Sequence, residues 1–110
     1  MIYKISLPNG EYTDVEFSMP DLVGTEKQIS YALHLISSHE TVQKIIAMRA
    51  RAEFIQALPE LQRAKWTARG WGAENCASEI AGANAALGQT NAGFWIDNFD
   101  AITAVRKPYI

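Results

Sequence analysis

Apolar and polar residues alternate from Ile2 to Phe17 around the segment Pro8-Asn9-Gly10, and beyond Thr25 the apolar positions recur every three or four residues. A period of two marks half-buried strands and a period near 3.6 marks amphipathic helices. The pattern therefore predicts an N-terminal β-hairpin followed by helices. The turn decides the register. A two-residue loop at Asn9-Gly10 would set Leu7 opposite Tyr12 and Ile5 opposite Asp14, bringing carboxylates onto the apolar face. A type I turn at Pro8-Asn9, with Gly10 left-handed, pairs Leu7 with Glu11, Ile5 with Thr13 and Tyr3 with Val15. One face then carries Tyr3, Ile5, Leu7, Val15 and Phe17. The other sets Lys4 across from Asp14, a weak cross-strand ion pair, and Ser6 across from Tyr12. A lone hairpin is marginal in water, so its apolar face is expected to lie on the helices. Its open edges could accept a partner's strand, the alternative being edges left short or covered.

Thr25-Glu26-Lys27-Gln28 has the form of a capping box, and the helix it opens sets Ile29, Ala32, Leu33 and Ile36 on one stripe. Ser37 with Glu40 repeats the signal, which predicts a break and a second helix over about 38–58. Arg49 and Glu53, four residues apart on the side of Val42, Ile45 and Ile46, are expected to form a partly buried ion pair, with the rim of a partner site as the alternative. Pro59 closes that helix and suits the first position of a third, 60–69, which stops at Gly70-Trp71-Gly72. A fourth helix is expected over 73–87 with Gly88 as its cap, and a fifth from about residue 90 to 106, where Pro108 forbids continuation. The fourth is rich in small residues (Ala77, Ala81, Gly82, Ala83, Ala85, Ala86), which suits either close packing inside the fold or a helix-mediated homodimer. Its apolar stripe is Ala73, Cys76, Ile80, Ala83 and Leu87. The fifth turns Trp95, Phe99, Ile102 and Val105 inward, with Asp97, Asp100 and Ala104 on the far side. Together these elements predict a mostly helical α+β fold. An N-terminal two-stranded antiparallel hairpin packs on a bundle of four to five short helices in a single domain, 1–110.

The chain has 110 residues, 48% of them hydrophobic and 20% charged, which is a globular composition able to bury a core. One cysteine excludes an internal disulfide and suits a reducing compartment. The first residues form no basic and apolar leader, and no apolar run is long enough to span a membrane. The expectation is a cytoplasmic protein with no membrane partner. The net charge of −2 is unevenly spread. Residues 44–69 carry Lys44, Arg49, Arg51, Arg63, Lys65 and Arg69 against Glu53 and Glu60, while both flanks are acidic. Such a segment can attract an acidic protein or nucleic acid, or neutralise the chain's own acidic ends.

The search for chemistry along the chain yields little. Cys76 falls within an apolar stripe, where a thiol behaves as a small hydrophobe with a raised pKa. His34 projects away from the first helix's stripe, and His39 sits beside the break, so the two do not share a face as metal ligands would. Asp97 and Asp100 share an outer face but lack a third ligand. Gly70-Trp71-Gly72 has neither the preceding strand nor the following residues of a phosphate loop. No nucleophile and base pair up, and no catalytic residue, metal site or cofactor is expected.

Trp66 lies off the Leu61-Ala64-Ala68 stripe of the third helix, and Trp71 stands between glycines. With Arg69 between them they form a Trp-Arg-Trp group of the residue types that anchor interfaces, the alternative being that both fold under the hairpin and complete the core. The hairpin and the Ser18-Met19-Pro20-Asp21-Leu22 segment leading into helices resemble small phage-borne assembly or accessory proteins. The resemblance covers only the first 22 residues and carries no site residues with it. The expected function is a non-enzymatic protein-interaction module, an inhibitor, adaptor or assembly factor that occludes or bridges a larger protein partner, an acidic one being what the basic segment would steer. Trp66, Arg69 and Trp71 would bind, with Lys65 and Arg63 steering. The first alternative is a nucleic-acid-binding module using 44–69, although Arg63 points roughly 160° from Lys65 on an ideal helix. The second is a small enzyme or ligand binder, which requires a pocket converging on Cys76 or a histidine.

Overall fold

A computed structural model of the chain describes residues 1–38 and 40–105, with side chains through residue 98 except Ser38. Strands β1 (Ile2–Ser6) and β2 (Tyr12–Glu16) are followed by five helices. These are α1 (Glu26–Ser38), α2 (Thr41–Gln56), α3 (Glu60–Thr67), α4 (Ala73–Leu87) and α5 (Ala92–Val105). The architecture is α+β and mostly helical, as the periodicities imply.

The hairpin register is the one the turn chemistry selects. Tyr3 pairs with Val15, Lys4 with Asp14, Ile5 with Thr13 and Ser6 with Tyr12. Gly10 is left-handed at φ 86°, the Leu7 amide donates to the Glu11 carbonyl, and the Gly10 amide donates to the Leu7 carbonyl. Ile5 is buried against the helices, while Lys4, Tyr12, Asp14 and Glu16 face outward. The Lys4 ammonium lies 4.9 Å over the Tyr12 ring.

The Thr25 cap forms as a reciprocal pair. The Gln28 amide donates to Thr25 Oγ1 at 3.2 Å, and the Thr25 amide donates to Gln28 Oε1 at 3.0 Å. The next break falls where expected but has a different cause. Glu40 adopts a left-handed conformation (φ 51°, ψ 37°) ahead of α2, and no side chain caps that helix. In α1 the buried positions are Ala32 and Ile36, which leaves Leu33 at the margin of the stripe and 46% exposed.

α2 is the spine. Its buried residues, Thr41, Val42, Ile45, Ile46, Ala47, Met48, Ala52 and Ile55, lie on more than one face, because α1, α3, α4 and β1 all pack on it. Two cores are strung along its length. The larger joins the hairpin, α1, the first half of α2, the end of α4 and Trp95 of α5. The smaller gathers Met48, Ala52, Ile55, Trp71 and Cys76. This arrangement draws the molecule out to 51 × 24 × 18 Å. Arg49 does not close on Glu53. Its Nη1 donates to Asn84 Oδ1 on α4 at 3.1 Å, while Glu53 is exposed, because α4 passes close enough to take the guanidinium. Ala83 and Ala86 provide that close approach, and Ala77, Ala81 and Ala85 remain exposed.

Val23 and Asn91 form a parallel bridge that the strand pattern does not reveal. The Val23 amide donates to the Thr90 carbonyl, and the Ala92 amide donates to the Val23 carbonyl. The bridge fastens the segment after the hairpin to the start of α5. Asp97 is exposed. The predicted inward positions Phe99, Ile102 and Val105, together with Asp100, Ala104 and His39, lie outside the described side chains. No helix among the described residues is long and apolar enough to cross a membrane.

Candidate partner-binding surface

The residues singled out by sequence converge on the turn from α3 into α4. α3 begins at Pro59, whose carbonyl accepts from the Gln62 and Arg63 amides. It ends in a pair of reversed bonds around left-handed Gly70 (φ 89°). The Gly70 amide donates to the Thr67 carbonyl at 3.1 Å, and the Trp71 amide donates to the Trp66 carbonyl at 2.9 Å. This is a Schellman motif, which brings the apolar residue after the glycine back against the last turn of the helix. Asn75 of α4 fixes the loop by donating to the Gly70 carbonyl at 2.6 Å.

The consequence separates the two tryptophans. Trp71 folds under the helix and is 7% exposed, packed with Met48, Ala52, Ile55 and Cys76. It is a core residue, so the Trp-Arg-Trp group does not stand as one surface patch. Trp66 is half-buried at the margin of the same cluster, and the Arg69 guanidinium lies 5.2 Å over its ring. That contact is worth about 0.5–1 kcal/mol at an exposed site. Lys65 and Arg63 are exposed, on different sides of α3. The signal that places Trp71 is present in the sequence. Gly70 sits after a helix with apolar residues both one position later and four positions earlier, and that is the Schellman pattern rather than an open loop.

α3 itself buries no side chain, and Leu61 is 85% exposed. Between α3 and the body lies a cleft of about 310 Å³. Ile55, Trp71 and Cys76 form its floor, Ala64 and Ala73 its sides, and Glu60 and Arg63 stand at its rim. The cleft does converge on Cys76, as a ligand-binding reading requires. However, the thiol is 1% exposed and its Sγ points to the Trp71 carbonyl at 3.6 Å. Burial pushes the Cys76 thiol up, and Glu79 adds to the effect, so at neutral pH it is neither ionised nor accessible as a nucleophile. Modification of the native protein by a thiol reagent at pH 7.5 is therefore expected to be slow, with full reactivity appearing only in denaturant. Rapid stoichiometric labelling of the folded chain would contradict this placement.

The cations of 44–69 are dispersed over the molecule. Arg49 is on Asn84, Arg51 on Ser6, Arg63 at the cleft rim and Arg69 on Trp66. They form no single stripe of the kind that tracks a phosphate backbone. Among the described residues, no three histidine, cysteine, aspartate or glutamate side chains are grouped to hold a metal ion. No family model, curated protein or solved structure matches this chain.

Proposed function

We propose that the protein is a non-enzymatic interaction module that binds a larger protein partner through α3 and the cleft beneath it, acting as an inhibitor, adaptor or assembly factor. The observation that carries the reading is α3 itself. An eight-residue helix is too short to be stable in water on its own, yet this one buries no side chain and holds Leu61 85% exposed. Its ends are tied by Pro59 and Gly70, and it touches the body through half-buried Trp66 while Leu61 is held out to solvent. A partner that covered Leu61 and inserted an apolar side chain beside Trp71 would complete the burial that the chain leaves undone. Arg63, Lys65 and Arg69 against Glu60 give this surface a positive balance, which favours a partner with acidic residues around its apolar anchor.

Leu61→Asp and Trp66→Ala test the surface directly. The tagged protein would be used to capture its partner from the native host, and the two variants compared with it in the same assay. Each substitution is expected to weaken capture by about tenfold or more, the scale of an interface anchor, with the circular dichroism spectrum unchanged. Undiminished capture by both folded variants would sink the assignment.

A further inference from the structure

Arg51 is a half-buried cation whose hydrogen-bond partners among the described residues are neutral. From α2, its Nε donates to the Ser6 carbonyl at 2.9 Å and its Nη2 to Ser6 Oγ at 2.8 Å, across the free edge of β1. A guanidinium has five N–H hydrogens, so three remain without a partner among the described residues. A charge partly withdrawn from water is ordinarily paired, and among the described residues no carboxylate is hydrogen-bonded to this one. Burial alone lowers its affinity for the proton, as expected for a cation short of a counter-charge.

Arg51 also lies on the wall of a pocket of about 270 Å³ between the hairpin and α2. Lys4 of β1 and Lys44 of α2 also line it, with Ser6, Tyr12 and Gln43 as neutral polar neighbours and Ile5 and Ala47 as its buried apolar residues. Among the described residues, Glu40 is the one acidic residue lining it, which leaves three cations against one anion, a local balance of +2. Asp14 faces Lys4 across the hairpin register but does not line the pocket. The Lys4 ammonium is positioned by its contact with the Tyr12 ring at 4.9 Å.

We propose that this pocket binds the phosphoryl group of a small phosphomonoester, with Arg51 as the fixed donor and Lys4 and Lys44 as flanking cations. A phosphomonoester carries about −1.5 to −2 charge near neutral pH, which matches the local balance where a single carboxylate would not. The remaining guanidinium hydrogens present a fork suited to two phosphate oxygens, and the lysines supply point charges for the rest. The site is separate from the α3 cleft, and no residue lines both.

The test is a titration of the isotope-labelled protein, followed by amide chemical shifts at low salt, with phenyl phosphate as the probe. Inorganic phosphate and a twelve-residue oligothymidylate serve as parallel arms. Saturable shifts are expected at Lys4, Ser6, Lys44 and Arg51 with phenyl phosphate. Inorganic phosphate is expected to move the same amides more weakly. Lys44→Gln changes only an exposed side chain, so it is expected to leave the spectrum dispersed and weaken phenyl phosphate about tenfold, the scale of one charge-assisted hydrogen bond. Arg51→Lys keeps the charge but not the fork and is expected to weaken it similarly. Shifts elsewhere or none at all, or unchanged affinity in Lys44→Gln, would overturn the proposal. So would an oligothymidylate that bound these residues more tightly than phenyl phosphate, which would identify a nucleic-acid backbone site instead.

Discussion

Trp95→Ala is expected to remove about 3–5 kcal/mol of folding stability, the range for deleting a large buried ring. Trp95 is fully buried where α5 meets α1, and its ring system lies nearly perpendicular to the Phe94 ring at a centroid distance of 6.2 Å. Its Nε1 donates to the Gln89 carbonyl at 3.2 Å, which ties α5 to the loop that also carries the Val23–Asn91 bridge. Truncation therefore leaves a cavity, an unpaired carbonyl and a loosened α4–α5 connection together. A domain of this size has about 5–15 kcal/mol in total, so the melting temperature should fall by on the order of 15 °C or more. Trp95→Phe keeps most of the volume and is expected to cost far less. Thermal and urea unfolding followed by circular dichroism would check both variants. A loss below about 1 kcal/mol for the alanine variant would mean that the larger core is not organised around this ring.

What the sequence reveals and what it hides follow from the range of the forces concerned. The hairpin register could be read because a one-residue slip moves every side chain to the other face, and Pro8-Asn9-Gly10 permits only one turn that keeps carboxylates off the apolar face. The cap at Thr25 and the span of α4 are local in the same sense. The partner of Arg49 is hidden because a helical wheel offers only partners on the same helix, whereas Asn84 reaches it from 35 positions away. The Val23–Asn91 bridge and the Arg51–Ser6 contacts also join distant segments that no periodicity encodes. For α2, an apolar stripe describes a helix covered on one side, and its central position left it covered on several. At the candidate surface, the grouping of Trp66 with Arg69 could be read from their spacing. The cleft could not, because it depends on how α3 leans over Ile55 and Cys76. Leu61 is the clearest such case. Its stripe with Ala64 and Ala68 resembles an inward face, yet the helix is too short and too weakly attached for that face to be covered.

Trp71→Ala and Trp66→Ala are expected to part company, and the difference distinguishes a core residue from a surface anchor. Trp71, at 7% exposed, fills the smaller core between Ile55 and Cys76, so its truncation is expected to cost about 3–5 kcal/mol. It should also open the cleft floor and let thiol reagents reach Cys76. Trp66 is half-buried, and its truncation removes part of its packing and the Arg69 stacking, a loss of about 1–2 kcal/mol. If partner binding runs through α3, Trp66→Ala loses capture while folded, and Trp71→Ala loses it in step with unfolding. Trp71→Phe, which keeps the floor of the cleft, should then recover both stability and capture. Urea unfolding, thiol accessibility and partner capture measured on the three variants separate these roles. A Trp71→Ala protein as stable as the parent would return Trp71 to the surface and undo the placement made by the Gly70 turn. The Schellman bonds make the opposite result the expected one, since they fix the direction of the chain after Gly70 before any tertiary contact is counted.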